Sequence, residues 1–421
     1  MTRVHTLANG VRVVADPAAG YETLALTVVA GSGARAEDET RSGWAHLLEH
    51  MVFKGAGERS ARDIVEAIEA EGGSINAATG YERTSFQVRS LAGGLRLGME
   101  VVADLMLRPT LAAADLAQEV GVIAQEIAEA ADTPDDFVFE LAQGAAFAGQ
   151  PLGRPVLGTE ASIGAATPAM LETWRAQLYA AGGLVVSAAG AIDEDELLRL
   201  AEDLFGGAIG ADAPAQQPAS FVGGPAGEAR RLEQAHLVFF LPGVGAVDPD
   251  YFASRVFTEA LGGGMSSRLF QEAREKLGLA YAIDAFAESY QETGLIGVYA
   301  GCAAKDAKAL AKVVAEQFRQ LAEGVGAAEL ARAKAQLKSA LFMARESLSA
   351  RAEQAAAQLQ VFGRLLTTAE IAEAIDGVSA ADLTRLAGRV TAPKLSAPAV
   401  LGPSKALAAA DAFHDALFGG A

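Results

Sequence analysis

The sequence predicts an α+β protein made of two copies of one structural unit, and three observations predict it. Its 421 residues are too many for one ordinary core and suit two domains of about 200 residues each. Residues 207–228 mix Gly, Ala, Pro, Gln and Ser without periodicity, as a linker does, and they divide the chain into similar halves. On either side of that stretch the same order recurs: strand, two helices, hairpin, long helix. The expected division is a first domain at 1–211, a linker at 212–224 and a homologous domain at 225–421.

The first half opens with a strand at Val4–Leu7, a turn at Asn9-Gly10 and a second strand at Val11–Ala15. A strand at Leu24–Val29 leads through a glycine-rich turn into a helix at Gly43–Phe53. There Trp44, Leu47, Leu48, Met51 and Val52 supply an apolar surface for burial. A second helix, Ala61–Glu71, is capped by Ser60 and stopped by Gly72-Gly73. Strands at Ser74–Ala77 and Thr84–Ser90 precede a helix at Gly94–Arg108, and an acidic helix follows at Asp115–Ala131. In the second half, a strand at His236–Leu241 precedes helices at Tyr251–Leu261 and Ser267–Lys276. Strands at Tyr281–Ser289 and Thr293–Gly301 and a helix at Ala307–Ala322 complete the repeat.

Half of the residues are hydrophobic and 21% are charged, which argues against disorder. The longest apolar runs, Gly183–Ala191 and His236–Leu241, are strand-length and far below the ~18 residues of a membrane span, so no membrane partner is expected. The first residues read as strands and not as a basic, then apolar, signal segment, so the expected location is the cytoplasm. A single cysteine, Cys302, excludes an internal disulfide and a multi-cysteine metal site. The formal net charge of −19 makes nucleic acid an unsuitable partner, because phosphate binding needs a basic patch. Acidity serves solubility, and would also draw basic peptides into an acidic cavity.

The strongest chemical signal is His46-Leu47-Leu48-Glu49-His50. On a helix, positions i, i+3 and i+4 share one face. Two imidazoles one turn apart can grip one metal ion, while the carboxylate between them points into the same space without ligating it. The bland alternative is two half-exposed histidines beside a glutamate. A hydrolytic metal site needs a third protein ligand and an open position for water. On the acidic helix Glu119 and Glu126 lie seven residues apart, on one stripe. By themselves the residues leave the choice between these two, and a plainly solvated face, open.

The stretch Gly43-Trp44-Ala45-His46-Leu47-Leu48-Glu49-His50-Met51-Val52-Phe53-Lys54-Gly55 resembles the inverzincin peptidases of the mitochondrial-processing-peptidase and pitrilysin type, in particular their small bacterial members. Ile75-Asn76-Ala77, Val122-Ile123-Ala124-Gln125-Glu126 and Pro151-Leu152-Gly153-Arg154-Pro155-Val156-Leu157-Gly158 extend the resemblance over nearly the whole chain. It implies two homologous domains, each a mixed or antiparallel sheet covered by helices on one side. It also implies a peptidase holding one Zn2+ per chain through His46, His50 and Glu126, with Glu49 as general base and Glu119 supporting the site.

The same resemblance assigns substrate contacts. Phe53 lines the pocket for the residue after the cleaved bond, and Asn76 and Ala77 lie on an edge strand that pairs with the peptide backbone. Asp136 and Glu140 match an acidic pair that holds an arginine, against the alternative of an ordinary solvated helix face. Arg274 and Tyr281 match a motif that holds the substrate's backbone. The long glycine-rich loop of the noncatalytic processing-peptidase subunit is reduced here to Gly262–Gly264, so its role does not transfer. Larger relatives resemble four such units in one chain closing around an unfolded peptide. Two units point to a homodimer, with Arg274 and Tyr281 acting on the partner's zinc site. The competing readings are a noncatalytic scaffold of the same fold and one half of a heterodimer.

Overall fold

The computed structural model describes residues 2–208, 214 and 216–419. In chain order come β1 (Arg3–Thr6), β2 (Arg12–Pro17), β3 (Thr23–Ala30), α1 (Trp44–Val52), the short ribbon β4 (Gly55–Ala56) and β5 (Arg59–Ser60), and α2 (Ala61–Ala70). Next are β6 (Ser74–Thr79), β7 (Thr84–Leu91), α3 (Leu95–Leu107), α4 (Ala113–Asp132), α5 (Pro134–Ala146), α6 (Glu160–Gly164), α7 (Pro168–Leu178), β8 (Leu184–Gly190) and α8 (Glu194–Phe205). The rest comprises β9 (Ala226–Ala229), β10 (Gln234–Pro242), α9 (Tyr251–Gly262), a π-helical stretch (Phe270–Lys276), β11 (Ala282–Ser289) and β12 (Gly294–Ala303). It ends with α10 (Ala307–Glu323), α11 (Ala327–Ala344), α12 (Leu348–Phe362), α13 (Thr368–Gly377), α14 (Ala380–Thr391), β13 (Ala397–Gly402) and α15 (Ala409–Phe418). No helix among the described residues is long and apolar enough to cross a membrane.

The first sheet runs β1-β2-β8-β3-β7-β6 and the second β11-β12-β10-β13-β9. Read from the other end, the second repeats the first without β1. In each, a central strand (β3, β10) pairs antiparallel with a hairpin strand (β7, β12) and with a late strand (β8, β13). That late strand in turn pairs parallel with an outer one (β2, β9). The duplication read from element order is therefore a duplication of topology, and the protein is an α+β fold of two homologous domains.

In the first compact unit, α1, α2, α3, α7 and α8 contribute to one core with the sheet, built on Leu26, Val28, Leu47, Leu48, Met51, Phe86 and Trp174. Leu47, Leu48, Met51 and Val52 are fully buried, each worth about 1.5–3 kcal/mol of transfer free energy. The opposite face is also covered. Ala352, Ala356 and Leu359 of α12 lie against Ala25, Val29, Val185 and Ala189, small side chains that let a helix approach. Burial on both faces explains why β8 reads Leu-Val-Val-Ser-Ala-Ala-Gly with no alternation. In the second unit α9, α10, α14 and α15 share a core with the sheet. There α5 packs across β10 and β13, with Phe139 among Phe240, Phe286 and Tyr299.

These covering helices make the compact units discontinuous. One comprises Met1–Ala128, Pro155–Gln217 and Met343–Leu365; the other Glu129–Arg154, Pro218–Phe342 and Leu366–Ala421. The division therefore differs from the expected cut at 1–211 and 225–421. Each sheet has a second apolar face that its own half leaves bare, and a helix from the other half covers it. Of the linker expected at 212–224, residues 212, 213 and 215 lie outside the described residues, and 216–224 forms neither helix nor strand. The helix expected at Ser267–Lys276 turns π-helical over Phe270–Lys276, where the Leu277 N–H reaches back five residues to the Glu272 carbonyl at 3.1 Å.

Candidate metal centre

The helix that carries the histidines starts at a glycine. Gly43 has φ 88, and a Cβ there would lie 2.5 Å from the Leu157 carbonyl oxygen, so both its left-handed backbone and its close approach require glycine. Glycine offers no capping side chain. Glu37, 3% exposed, does so from outside the helix, accepting the N–H groups of Gly43 at 2.8 Å and Ala45 at 2.5 Å. The Trp44 indole N–H donates to the Ser162 carbonyl at 2.9 Å. Cap and brace fix the rotation of α1 about its axis. Leu47, Leu48, Met51 and Val52 turn into the core, while His46, Glu49 and His50 share the other face.

The His46 and His50 rings lie 4.6 Å apart between centroids. Helix α4 supplies the third donor. Leu116, Glu119 and Ile123 are its buried stripe, and Glu126 falls on the same stripe two turns beyond Glu119. Glu126 Oε2 lies 3.9 Å from His46 Nε2 and 3.6 Å from His50 Nε2. One donor atom from each of the three residues lies within 4.8 Å of the others, a set that could hold a metal ion. Ligands about 2.0–2.1 Å from a tetrahedral zinc would be about 3.4 Å apart, so the triad stands slightly open of closure. Burial, aided by the neighbouring His50, pushes the His46 pKa down to about 4, which keeps that imidazole in the neutral form that binds metals.

Glu119 is 2% exposed and sits behind the triad. Its Oε2 lies 3.0 Å from His50 Nδ1, and its Oε1 meets Lys54 Nζ at 2.6 Å. An ionised carboxylate only accepts, so Nδ1 carries the hydrogen and donates. That choice leaves the lone pair on Nε2, the atom turned toward Glu126. Lys54 compensates the charge that Glu119 carries into the protein.

Glu49 stands apart from the triad. Burial pushes its carboxyl pKa up, and the hydrogen bond from Thr79 Oγ1, 2.6 Å from Oε2, works against that shift. Beside it opens a cleft of about 400 Å³, walled by Phe53, Ile75, Asn76 and Ala77 with His50 and Glu119. Phe53 stacks on Phe86 at 6.4 Å. Asn76 and Ala77 lie on β6, the outermost strand of its sheet, which among the described residues pairs only with β7.

Eight residues singled out from the sequence therefore gather in one unit: His46, Glu49, His50, Phe53, Asn76, Ala77, Glu119 and Glu126. Four belong to the second unit. Asp136 and Glu140 lie one turn apart on α5, and burial with the nearby Asp136 raises the Glu140 carboxyl pKa. The Arg274 guanidinium lies 4.7 Å over the Phe270 ring, and Tyr281 is 62% exposed just before β11. Sequence reading passed over Glu37, Lys54 and Thr79 as site residues. Thr79 was within reach, since alternation from Ile75 through Ala77 lands on it, whereas nothing local marks Glu37 or Lys54.

Residues 12–160 match the insulinase domain of peptidase family M16, and residues 165–337 match the domain described as peptidase M16 inactive domain. An uncharacterized zinc protease of Rickettsia bellii is 34% identical over 95% of this chain and 97% of its own length. Another from Streptomyces coelicolor is 34% identical over 98% of this chain and 92% of its own. Among solved structures, a protease from Helicobacter pylori shares the fold with a TM-score of 0.88 at 22% identity, over 96% of this chain and 99% of that one. A chain from complex III2 of Candida albicans shares it with a TM-score of 0.86 at 19% identity, over 99% of each chain. Sequence identity over nearly the full length, with both domains matched in order, makes this chain a member of peptidase family M16, the insulinase family.

Proposed function

We propose that this protein is a zinc metallopeptidase that hydrolyses peptide bonds of unfolded peptides, with one Zn2+ per chain. The observation that carries the reading is the convergence of His46, His50 and Glu126 from two helices, with a separate carboxylate, Glu49, on the same face of α1. The naming of relatives as zinc proteases agrees with it. A noncatalytic scaffold would have no use for a buried carboxylate behind one histidine and a hydroxyl on the neighbouring glutamate.

His46, His50 and Glu126 would hold the ion, and Glu119 would keep His50 in the ligating tautomer. When bound, zinc supplies the Lewis acidity that polarises the scissile carbonyl and lets a water ionise near neutral pH. Glu49 would take a proton from the attacking water as its oxygen bonds to the carbonyl carbon, and would deliver it to the amine nitrogen as the C–N bond breaks. The peptide lies against the outer edge of β6 as an added strand, with the side chain after the cleaved bond beside Phe53. Asp136 and Glu140 are assigned to a basic side chain, and Arg274 and Tyr281 of a partner chain in a homodimer to the substrate backbone.

The test is metal analysis of purified protein together with cleavage of an unstructured peptide, products identified by mass. Stoichiometric zinc, loss of cleavage on chelation and recovery on adding zinc are expected. Glu49→Gln should keep zinc and lose nearly all activity, and His50→Ala should lose the metal too. Wild-type cleavage by Glu49→Gln would refute the assignment of the base.

A further inference from the structure

Alternation along β6 turns Ile75, Ala77 and Thr79 to one face and Ser74, Asn76 and Ala78 to the other. The first face meets α1, and its last member reaches the helix through polar contacts. Thr79 Oγ1 donates to Glu49 Oε2 at 2.6 Å and lies 3.5 Å from the Ala45 carbonyl, one turn earlier on α1. The first distance is that of a charge-assisted O–H to carboxylate bond. Thr79 cannot easily drift. It pairs with Thr84 at the closed end of the hairpin, where the Gly80 N–H donates to the Arg83 carbonyl at 2.8 Å, and its branched side chain has few rotamers.

Among the described residues no strand pairs with the other edge of β6. One strand thus carries both the open row of backbone groups and the hydroxyl that holds the base. We propose that Thr79 is a positioning residue of the reaction. It orients the Glu49 carboxylate from the strand that receives the peptide, so that backbone pairing and placement of the base are set by a single rigid element. This rests on the hydrolytic reading above. A slip of one residue along β6 shifts a peptide by about 3.3 Å, more than the roughly 1 Å that a reacting geometry tolerates. Each pairing register therefore presents one peptide bond to Glu49.

The test compares Thr79→Val, Thr79→Ala and Thr79→Ser in the full chain by kcat, KM and bound zinc, with Glu49→Gln alongside. Val keeps the shape and loses the hydroxyl, Ala loses it without burying an extra methyl, and Ser retains it. Val and Ala should lower kcat by about tenfold to a hundredfold while KM and zinc content stay at wild-type values. Ser should recover most of that loss, and Thr79→Val added to Glu49→Gln should slow cleavage no further. Wild-type kcat in both hydroxyl-free variants overturns the proposal, as does a Ser variant as slow as Val, or a loss confined to KM or zinc content. An inert Glu49→Gln beside a fully active Thr79→Val sinks this inference alone, whereas a fully active Glu49→Gln sinks the hydrolytic reading with it.

Discussion

Replacing Glu119 by glutamine isolates the way His50 is held. The amide keeps the shape of a side chain that is 2% exposed but gives up its charge. Two contacts lose their ionised partner, the Lys54 ammonium at 2.6 Å and the His50 Nδ1–H at 3.0 Å. The amide also brings an NH2 group, which can face Nδ1 and move the imidazole hydrogen to Nε2, the atom turned toward Glu126. Partners of this kind behind a metal ligand are worth about 10–100-fold in metal affinity, or about 1.4–2.8 kcal/mol. The larger value is expected here, because the change weakens the acceptor and also favours the wrong tautomer. The assay is competition for zinc against a chromophoric chelator, with the melting temperature of the metal-free protein measured alongside. Weakened zinc binding with an unchanged metal-free melting temperature is the expected result. Zinc affinity equal to wild type would refute the role given to Glu119.

Gly43→Ala should destabilise the protein by at least about 1–3 kcal/mol from its backbone conformation alone, and further because its Cβ would meet the Leu157 carbonyl at 2.5 Å. Gly20→Ala is the control: φ is 86 there too, but a Cβ meets nothing within 4 Å, so only the conformational cost applies and the denaturation midpoint should fall less. Glu37→Ala removes the acceptor of two N–H groups at the start of α1 and should cost about 1–2 kcal/mol, read from the same midpoint. If the proposed homodimer shares its sites, mixing inactive Glu49→Gln protein with inactive Arg274→Ala protein should restore part of the proposed peptidase activity, since a mixed dimer would hold one intact site. Demonstrated subunit exchange with no recovery would place Arg274 on the zinc site of its own chain.

Much of the fold was legible because its signals are local. Ser60 was read as a cap, and in the structure it forms a capping box with Asp63. The expected strands and helices recur with their ends within two residues, apart from the π-helical turn before β11. That turn is set by how the Leu277 N–H reaches back to Glu272, which no periodicity records. The metal helix was equally legible, since its face depends only on the 3.6-residue repeat and the burial of Leu47, Leu48, Met51 and Val52. On α4, periodicity put Glu119 and Glu126 on one stripe but could not say which would reach the histidines.

The sequence by itself determined the duplication, the helix that aligns His46, Glu49 and His50, and the hairpin beside it, because contacts within a few residues of one another decide these. Only the tertiary structure decided that Glu126 faces both Nε2 atoms while Glu119 stands behind Nδ1, that Thr79 reaches the base, and that α5 and α12 each cover a sheet in the opposite half. Those choices depend on how far apart and at what angle distant elements pack. Many different sequences satisfy such packing, and no single stretch of chain encodes it.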